Sequence, residues 1–350
     1  LSEICRSPAI SVVVVNWNRV NLLRACLRSL AGQCDADFEV ILVDNASSDG
    51  SAEMAEAEFG QTGLLNLRVI RNEANLGFCA GNNRGIEASR APFIALLNND
   101  AEAETGWLKA LLDAFEGRPD VGMAASKVLV YEDPSRIDKV GHLIYPDGQN
   151  RGRGAGERDR GQYDRVEEVL WPDGCAAMYR RAMLDEIGGF DEDFFAYADD
   201  AELGLRARIA GWKCLYIPEA VVRHHRAASL GVASALRLEL IERNRILLAA
   251  KLFPWSLLCL NGVYYAARMV AGAWAAARGR GEASRFPGLR GKITIASALL
   301  KGGVSALALT PKMLRKRRQV RRFRKLSPAE VRRLILSHRI SLREISENAI

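Results

Sequence analysis

The chain has 350 residues, 49% of them apolar and 26% charged, which is enough apolar material for a real core and excludes global disorder. Its net charge of +7 combines two unlike parts: residues 237–350 hold 24 Lys or Arg against 6 Glu, a net of +18, which leaves −11 for residues 1–236. Seven cysteines are scattered without a CxxC pair, which argues against a disulfide framework or a zinc knuckle and fits a reducing compartment.

No secretory leader is read at the start, where the apolar run Ala9 to Val15 is too short for one. Residues 10–16 instead form a β-branched run without polar alternation, as in a strand buried on both faces of a parallel sheet. A helix is expected over Val20–Ala31, a second buried strand over Phe38–Val43, and a turn rich in capping residues over 44–50. An acidic helix near Ser51–Phe59 and a short strand near Leu67–Ile70 follow. Between Asn75 and Gly85 the glycines fall at 77, 81 and 85, which is not GxGxxG and argues against a dehydrogenase-type cofactor loop. Phe93–Leu97 is a further strand, ending at Asn98-Asn99-Asp100. Strands alternating with helices at this spacing predict an α/β domain with a mostly parallel sheet, whose ligands gather at the carboxyl ends of the strands. Asp44 and Asp100 sit at such ends.

Residues 131–168 lose periodicity and fill with Gly, Arg, Asp and Glu, so they are expected to form either a lid or a disordered loop. A helix near Asp200–Ala210 and a strand over Leu215–Val222, broken by Pro218, come next. The domain is expected to close near Ser229, giving a catalytic domain over 1–235 and a helical, basic region over 236–350. In the latter, 252–277 and 293–309 are long and apolar but interrupted by Asn261, Arg268 and Lys301. They read as helices lying on or dipping into a membrane interface, or else packed on the body. Nine of the fourteen residues from Lys312 to Lys325 are basic, which suits an anionic membrane face or a nucleic acid.

The chemistry concentrates in the acids. Asp44 either accepts hydrogen bonds from a nucleobase or ribose, or caps the helix after it. Asp100, delivered to a strand tip, is placed to hold a divalent ion against phosphates. Asp199, Asp200 and Glu202 open a helix whose dipole stabilises them, and one carboxylate facing a cleft would serve as general base toward a sugar hydroxyl. One imidazole of His224-His225 joining a carboxylate on Mn²⁺ or Mg²⁺ would be reasonable coordination.

Taken in order, Val12 to Asn18, Val43 to Ser51, Asn75-Leu76-Gly77-Phe78 with Gly81, Asn82 and Gly85, Asn98-Asn99-Asp100 and Tyr197-Ala198-Asp199-Asp200 resemble glycosyltransferase family 2. That resemblance covers residues 8–255 and implies an inverting enzyme with the GT-A fold. Asp100 then takes the metal-ligand role of the DxD motif, with Asn98 at the place of the other acid and His224, or alternatively His225, toward metal or diphosphate. Asp200 becomes the base beside Asp199, which stands where glutamate is usual, and Glu202 replaces an aspartate. Asn16, Asn18, Asp44, Asn75, Gly77, Asn82, Asn98 and Asn99 fall to the nucleotide sugar, and Gly174, Trp171 and Arg206 to the acceptor side. Arg243-Asn244-Arg245, with Lys251 beyond, is similar to a segment of bacterial rhamnosyltransferase-like members. The implied partners are a nucleoside-diphosphate sugar, rhamnose among the candidates, a lipid-linked or glycan acceptor, and a divalent metal, Mn²⁺ or Mg²⁺. The implied place is the cytoplasm, peripheral at the inner face of a bacterial membrane, with no nucleic acid. A sugar nucleotidyltransferase would want a glycine-rich loop after the first strand, which Asn16-Trp17-Asn18-Arg19 lacks. A nonenzymatic nucleic-acid binder would leave the acidic body unexplained.

Overall fold

The computed structural model describes residues 7–225 and 234–347. Its β-branched opening forms β1 (Ile10–Asn16), central in a parallel array with β2 (Phe38–Asp44), β3 (Leu67–Arg71) and β4 (Phe93–Leu97). The register sets Asn16 beside Asp44, so polar groups of neighbouring strands emerge together at the carboxyl edge. Helices α1 (Val20–Ala31), α2 (Ser51–Ala55, continued by a π-helical turn to Gly60) and α3 (Gly77–Ala88) alternate with these strands. A Cβ on Gly81 would lie 2.7 Å from Val15 and one on Gly85 2.3 Å from Val13. The glycine spacing therefore serves close packing of α3 on β1.

Past β4 the sheet becomes mixed. The chain forms β5 (Ala101–Ala103), α4 (Trp107–Asp113), β6 (Val121–Val130), β7 (Ile137–Lys139), β8 (His142–Ile144), β9 (Asn150–Gly152) and β10 (Glu167–Val169). Then come β11 (Ala176–Arg180), α5 (Arg181–Ile187), α6 (Asp199–Ile209) and β12 (Lys213–His224). β11 runs antiparallel between β4 and β6, and β12 lies parallel to β6, giving the order β10-β12-β6-β11-β4-β1-β2-β3. β6 escapes a sequence reading because Gly122, Ala124, Ala125 and Lys127 dilute its pattern, although nine of its ten residues are buried. Pro218 does not end β12; the strand absorbs it in a register shift between Ile217 and Val221. Residues 131–168, expected as a lid or a disordered loop, instead carry β7 to β10, with β8 and β9 paired as a separate antiparallel ladder. Strands of three residues are too short to show a period.

The C-terminal region is α7 (Ala235–Leu252), α8 (Trp255–Leu258), α9 (Asn261–Ala277), α10 (Gly288–Val320), α11 (Pro328–Ser337) and α12 (Leu342–Glu347). The boundary expected near Ser229 lies outside the described residues. Leu247 and Leu252 of α7, Ala306 and Met313 of α10 and Ile335 of α11 share one hydrophobic cluster with Trp171, Tyr179 and Leu203 of the sheet domain. Close approach of α10 to α7 depends on Gly302, where a Cβ would lie 2.6 Å from the Glu239 carbonyl oxygen. Charge reinforces the junction. Lys251 Nζ is 2.6 Å from both Asp191 and Glu202, Lys316 contacts Asp191 and Asp193, and Lys312 reaches Asp193 at 2.6 Å. Burial works against ionisation of Asp191, yet Lys251 and Lys316 outweigh it and hold the carboxyl at about 2.

The other apolar helices behave differently. Of α9 only Ala275 is buried, and Val263, Val270 and Trp274 stand exposed with Ile293, Leu300, Val304 and Leu307 of α10. By length and composition α10 is long and apolar enough to cross a membrane. Arg268 turns inward to Asp147 and Glu242.

α7 also fixes the loop before α6. Asn244 Nδ2 donates to the carbonyls of Phe194, Ala196 and Tyr197 at 2.9, 2.8 and 2.7 Å, and Arg243 donates to those of Asp193 and Phe194. In this loop Phe195, Tyr197 and Ala198 hold positive φ of 62°, 68° and 55°, a strained backbone that needs outside support. Replacing Asn244 by Ala should lower stability by about 2–3 kcal/mol, read as a reduced urea midpoint at constant m-value. An unchanged midpoint would show that the loop supports itself.

Candidate active site

The antiparallel register that sets Leu97 of β4 opposite Ala176 of β11 carries two turns to the same place. Asn98 N–H donates to the Cys175 carbonyl at 2.8 Å, so Asn98-Asn99-Asp100 abuts Asp173-Gly174-Cys175. β12 ends beside them, with His224 paired to Ala101 and His225 N–H donating to the Asp100 carbonyl at 2.9 Å. The first turn of α6 adds Asp199 and Asp200. Between these elements lies a cleft of about 970 Å³.

Of the residues expected from sequence, Asn18, Asn75, Gly77, Asn98, Asn99, Gly174, Asp199 and Asp200 line the cleft. Others stand behind its wall. Asn16 is buried, donating to Asp44 and Ser47 at 3.1 Å and accepting from Asn99 at 2.7 Å. Asp44 accepts from Ser47 N–H at 2.9 Å and thus ties its own turn, while Gly50 precedes α2. Asn82 donates to the Phe78 carbonyl one turn back. Trp171 is wholly buried, with His142 stacked at 6.0 Å. Arg206 is turned away from the cleft, pairing with Glu202 at 2.8 Å and donating to the carbonyls of Gly188 and Gly189 at 2.9 and 2.6 Å.

Asp100 and His224 form a buried pair just behind Asn98 and Asn99. Their closest approach, His224 Nε2 to Asp100 Oδ1, is 3.4 Å, and that carboxylate oxygen has no well-formed hydrogen bond. On its other side His224 Nδ1 lies 2.8 Å from Asp138 Oδ2. Burial disfavours the imidazolium, but Asp100 and Asp138 outweigh it and raise His224 to about 9.

Asp200 belongs to a second cluster. Its Oδ2 lies 3.3 Å from His142 Nε2, which is 2.8 Å from Asp173 Oδ2, and Lys139 Nζ reaches that same oxygen at 2.7 Å. Asp200 Oδ1 accepts from Ala201 N–H at 2.7 Å. Burial pushes the Asp200 carboxyl up and the charge of Asp173 adds to this, against the pull of His142 and Lys139. Asp199 is raised well above the usual carboxylate range by burial and by Asp200 beside it. Asp173 moves the other way, because Lys139 and His142 overcome its burial.

His142, Asp173, Lys139 and Asp138 were not singled out by sequence. Asp173 stands between Trp171 and Gly174, which the sequence does point to; His142, Lys139 and Asp138 lie in the segment expected as a lid or a disordered loop, where nothing marks them. β7 supplies both clusters, Asp138 to His224 and Lys139 to Asp173. Asn45 adds a further polar wall, donating to Asn75 Oδ1 at 3.3 Å and to the Gly77 carbonyl at 3.2 Å. Six non-glycine residues among those described have positive φ, and five of them, Asn18, Arg19, Phe195, Tyr197 and Ala198, line this cleft. Strain of this kind concentrates at functional sites.

Two residue sets could hold a cation. His142, Asp173 and Asp200 offer ligand atoms within 4.8 Å of one another, but the Lys139 ammonium already sits on Asp173. Asp100 with His224 is free of an ammonium, and the buried Asp100 oxygen would suit a divalent ion whose binding displaces the His224 proton.

Comparison with known proteins agrees with this geometry. The sequence profile of Glycosyl transferase family 2 matches residues 11–188. Protein y4gI of Sinorhizobium fredii is 32% identical over 243 residues, 64% of this chain and 25% of that protein, so the chain spans a quarter of this relative. The N-acetylglucosaminyl-diphospho-decaprenol L-rhamnosyltransferase of Mycobacterium tuberculosis is 29% identical over 246 residues, 64% of this chain and 78% of that one. Among solved structures, the mannosyltransferase PcManGT of Pyrobaculum calidifontis in complex with GDP-Man and Mn²⁺ aligns at TM-score 0.54 and 18% identity, over 87% of this chain and 88% of that one. GalNAc-T7 with UDP, GalNAc and Mn²⁺ aligns at TM-score 0.57 and 15% identity, over 70% of this chain and 48% of that one. The strand order, the cleft at the carboxyl edge and the profile match converge: the chain belongs to glycosyl transferase family 2 and is a glycosyltransferase with the GT-A fold.

Proposed function

We propose that the chain moves a sugar, with inversion at its anomeric carbon, from a nucleoside-diphosphate donor to a lipid-linked or glycan acceptor. The observation that carries this reading is the Asp200 carboxyl, raised by burial and lining the same cleft as Asn98 and Asn99. A base must bind a proton as the acceptor hydroxyl attacks, and a raised carboxyl does so more readily than an exposed one. Asp200 takes that proton on one face of the sugar while the diphosphate departs from the other, through a transition state of oxocarbenium character. His142 and Lys139 draw Asp200 toward the ionised form that a base needs, against its burial, while burial and Asp200 push Asp199 toward the protonated form. Asn18, Asn75 and Gly77 form the donor side of the cleft, with Asp44 and Asn16 bracing it, and Gly174 lies toward the acceptor. Asp100 and His224 would hold Mn²⁺ or Mg²⁺, whose charge offsets that of the departing diphosphate. Rhamnose as the sugar is supported by the mycobacterial rhamnosyltransferase, of which the chain covers 78%.

The site of action we propose is the inner face of a bacterial membrane. The apolar face of α9 and α10 supports it, together with exposed Arg278, Arg280, Arg290, Lys292 and Lys301. Each basic residue near anionic lipid adds about 1 kcal/mol. A nucleic-acid role is disfavoured, because Lys312 and Lys316 of the basic run are engaged by Asp191 and Asp193.

Asp200→Asn should lower turnover by roughly 10²–10⁴-fold while nucleoside-diphosphate affinity is unchanged, measured by diphosphate release and by titration calorimetry. Near-normal turnover would remove Asp200 from the base role. For Asp100→Ala the expected result is loss of metal-dependent donor binding, read by calorimetry with and without Mn²⁺; equal donor affinity in both conditions for the parent protein would count against a metal here. His142→Ala takes away a group that lowers the Asp200 pKa, so the acid limb of the pH–rate profile should move to higher pH. An acid limb that stays in place would separate His142 from the base.

A further inference from the structure

A second cavity, of about 320 Å³, lies between α7, α9 and α10, and its wall is mostly apolar: Leu238, Ile241, Met269, Phe286, Ile295 and Leu299. We propose that it holds the first isoprene units of a polyprenyl diphosphate, the lipid part of the acceptor, and so steers the glycan end of that lipid to Asp200. The assignment rests on the lipid-linked acceptor proposed above. Protein interiors are close-packed, and an open apolar space of this size with a few polar groups is what a ligand site looks like.

Its position commits it to one occupant. Gln149 and Ile241 line this cavity and the catalytic cleft alike, so the two spaces are neighbours that share a wall. Arg237 and Arg245 line the cleft near that junction, giving cationic surroundings where the diphosphate of such a lipid would pass. Both already serve structural partners: Arg237 contacts Glu282 at 2.6 Å, and Arg245 holds Glu242 and lies 4.2 Å from the Tyr265 ring centroid. Each charged group of the cavity wall has a partner: Arg268 contacts Glu242, and Glu282 contacts Arg237 of the cleft. On the outer side the same helices present Val270, Trp274, Ile293 and Leu300 to solvent. An apolar chain entering from a bilayer surface would thus lie beside the cleft without meeting an unmatched charge. A soluble glycan acceptor would need none of this.

Gly272 gives a clean test. It lines the cavity, and a Cβ built there meets no atom within 4 Å, so a side chain starts from open space and Gly272→Phe is the variant that narrows the cavity. Farnesyl diphosphate is the probe, titrated into full-length parent and variant by tryptophan fluorescence. Nucleoside diphosphates and phosphatidylglycerol vesicles are run in parallel. The expected result is farnesyl diphosphate binding by the parent that weakens by roughly tenfold or more in the variant, with nucleotide and vesicle binding unchanged. Retained farnesyl diphosphate affinity in the variant overturns the cavity proposal, as does a parent that binds nucleotide but not the probe. A parallel loss of vesicle binding also overturns it, since the cavity would then be part of a general lipid contact. Failure of both proteins to bind any nucleoside diphosphate would instead strike the glycosyltransferase reading of the cleft.

Discussion

Everything chemical in this protein hangs on the antiparallel seam between β4 and β11. Because Leu97 faces Ala176, the chain is obliged to bring Asn98, Asn99 and Asp100 against Asp173, Gly174 and Cys175, although some seventy residues separate them. A one-residue slip would turn the side chains of β11 to the opposite faces of the sheet and carry Asp173 and Gly174 out of step with Asn98. The small side chains of Ala95, Ala176 and Ala177 are fully buried in that seam. β12 locks the same corner from the far side through its pairing with β5.

Around that seam, charge is organised in two layers. In the cleft, neighbours pull the carboxyls apart: Lys139 and His142 draw Asp173 well below the usual carboxylate range, burial and Asp200 push Asp199 well above it, and Asp200 is raised by its own burial. Further out, the basic C-terminal helices answer the acidic body. The opposition of +18 and −11 visible in the sequence is therefore partly internal, with Lys251 and Lys316 meeting Asp191, Glu202 and Asp193. What remains exposed on α9 and α10 is apolar with a basic fringe.

Sequence reading reached the parallel half of the sheet because Ile10–Asn16 and Phe38–Asp44 are continuous β-branched or aliphatic runs, which leave little room for another structure. Asp100, Asp200 and His224 can be singled out as candidates because each sits at the end of a recognisable element. It missed β6, whose small residues and Lys127 mask a buried strand, and β7 to β9, too short to show any period. His142 and Lys139 were lost with them. Asn244 could be noticed but not interpreted, since its three carbonyl partners lie nearly fifty residues upstream in a loop whose strain no sequence pattern announces. Arg206 was misplaced because a basic residue one turn after two acids looks the same whether it faces a substrate or three main-chain carbonyls.

The anchoring of α7 in the sheet domain has a consequence for how such an enzyme can vary. Helices that supply Asn244 to the catalytic loop and Lys251 to Asp191 and Glu202 are not an appendage that recombination could exchange freely. Grafting a foreign C-terminal half would remove counter-ions from two interior acids and release the backbone that leads into Asp199 and Asp200. Variation in this region is therefore expected to accumulate as point changes on the exposed faces of α9 and α10, around Val263, Val270, Ile293 and Leu300, rather than by shuffling whole segments.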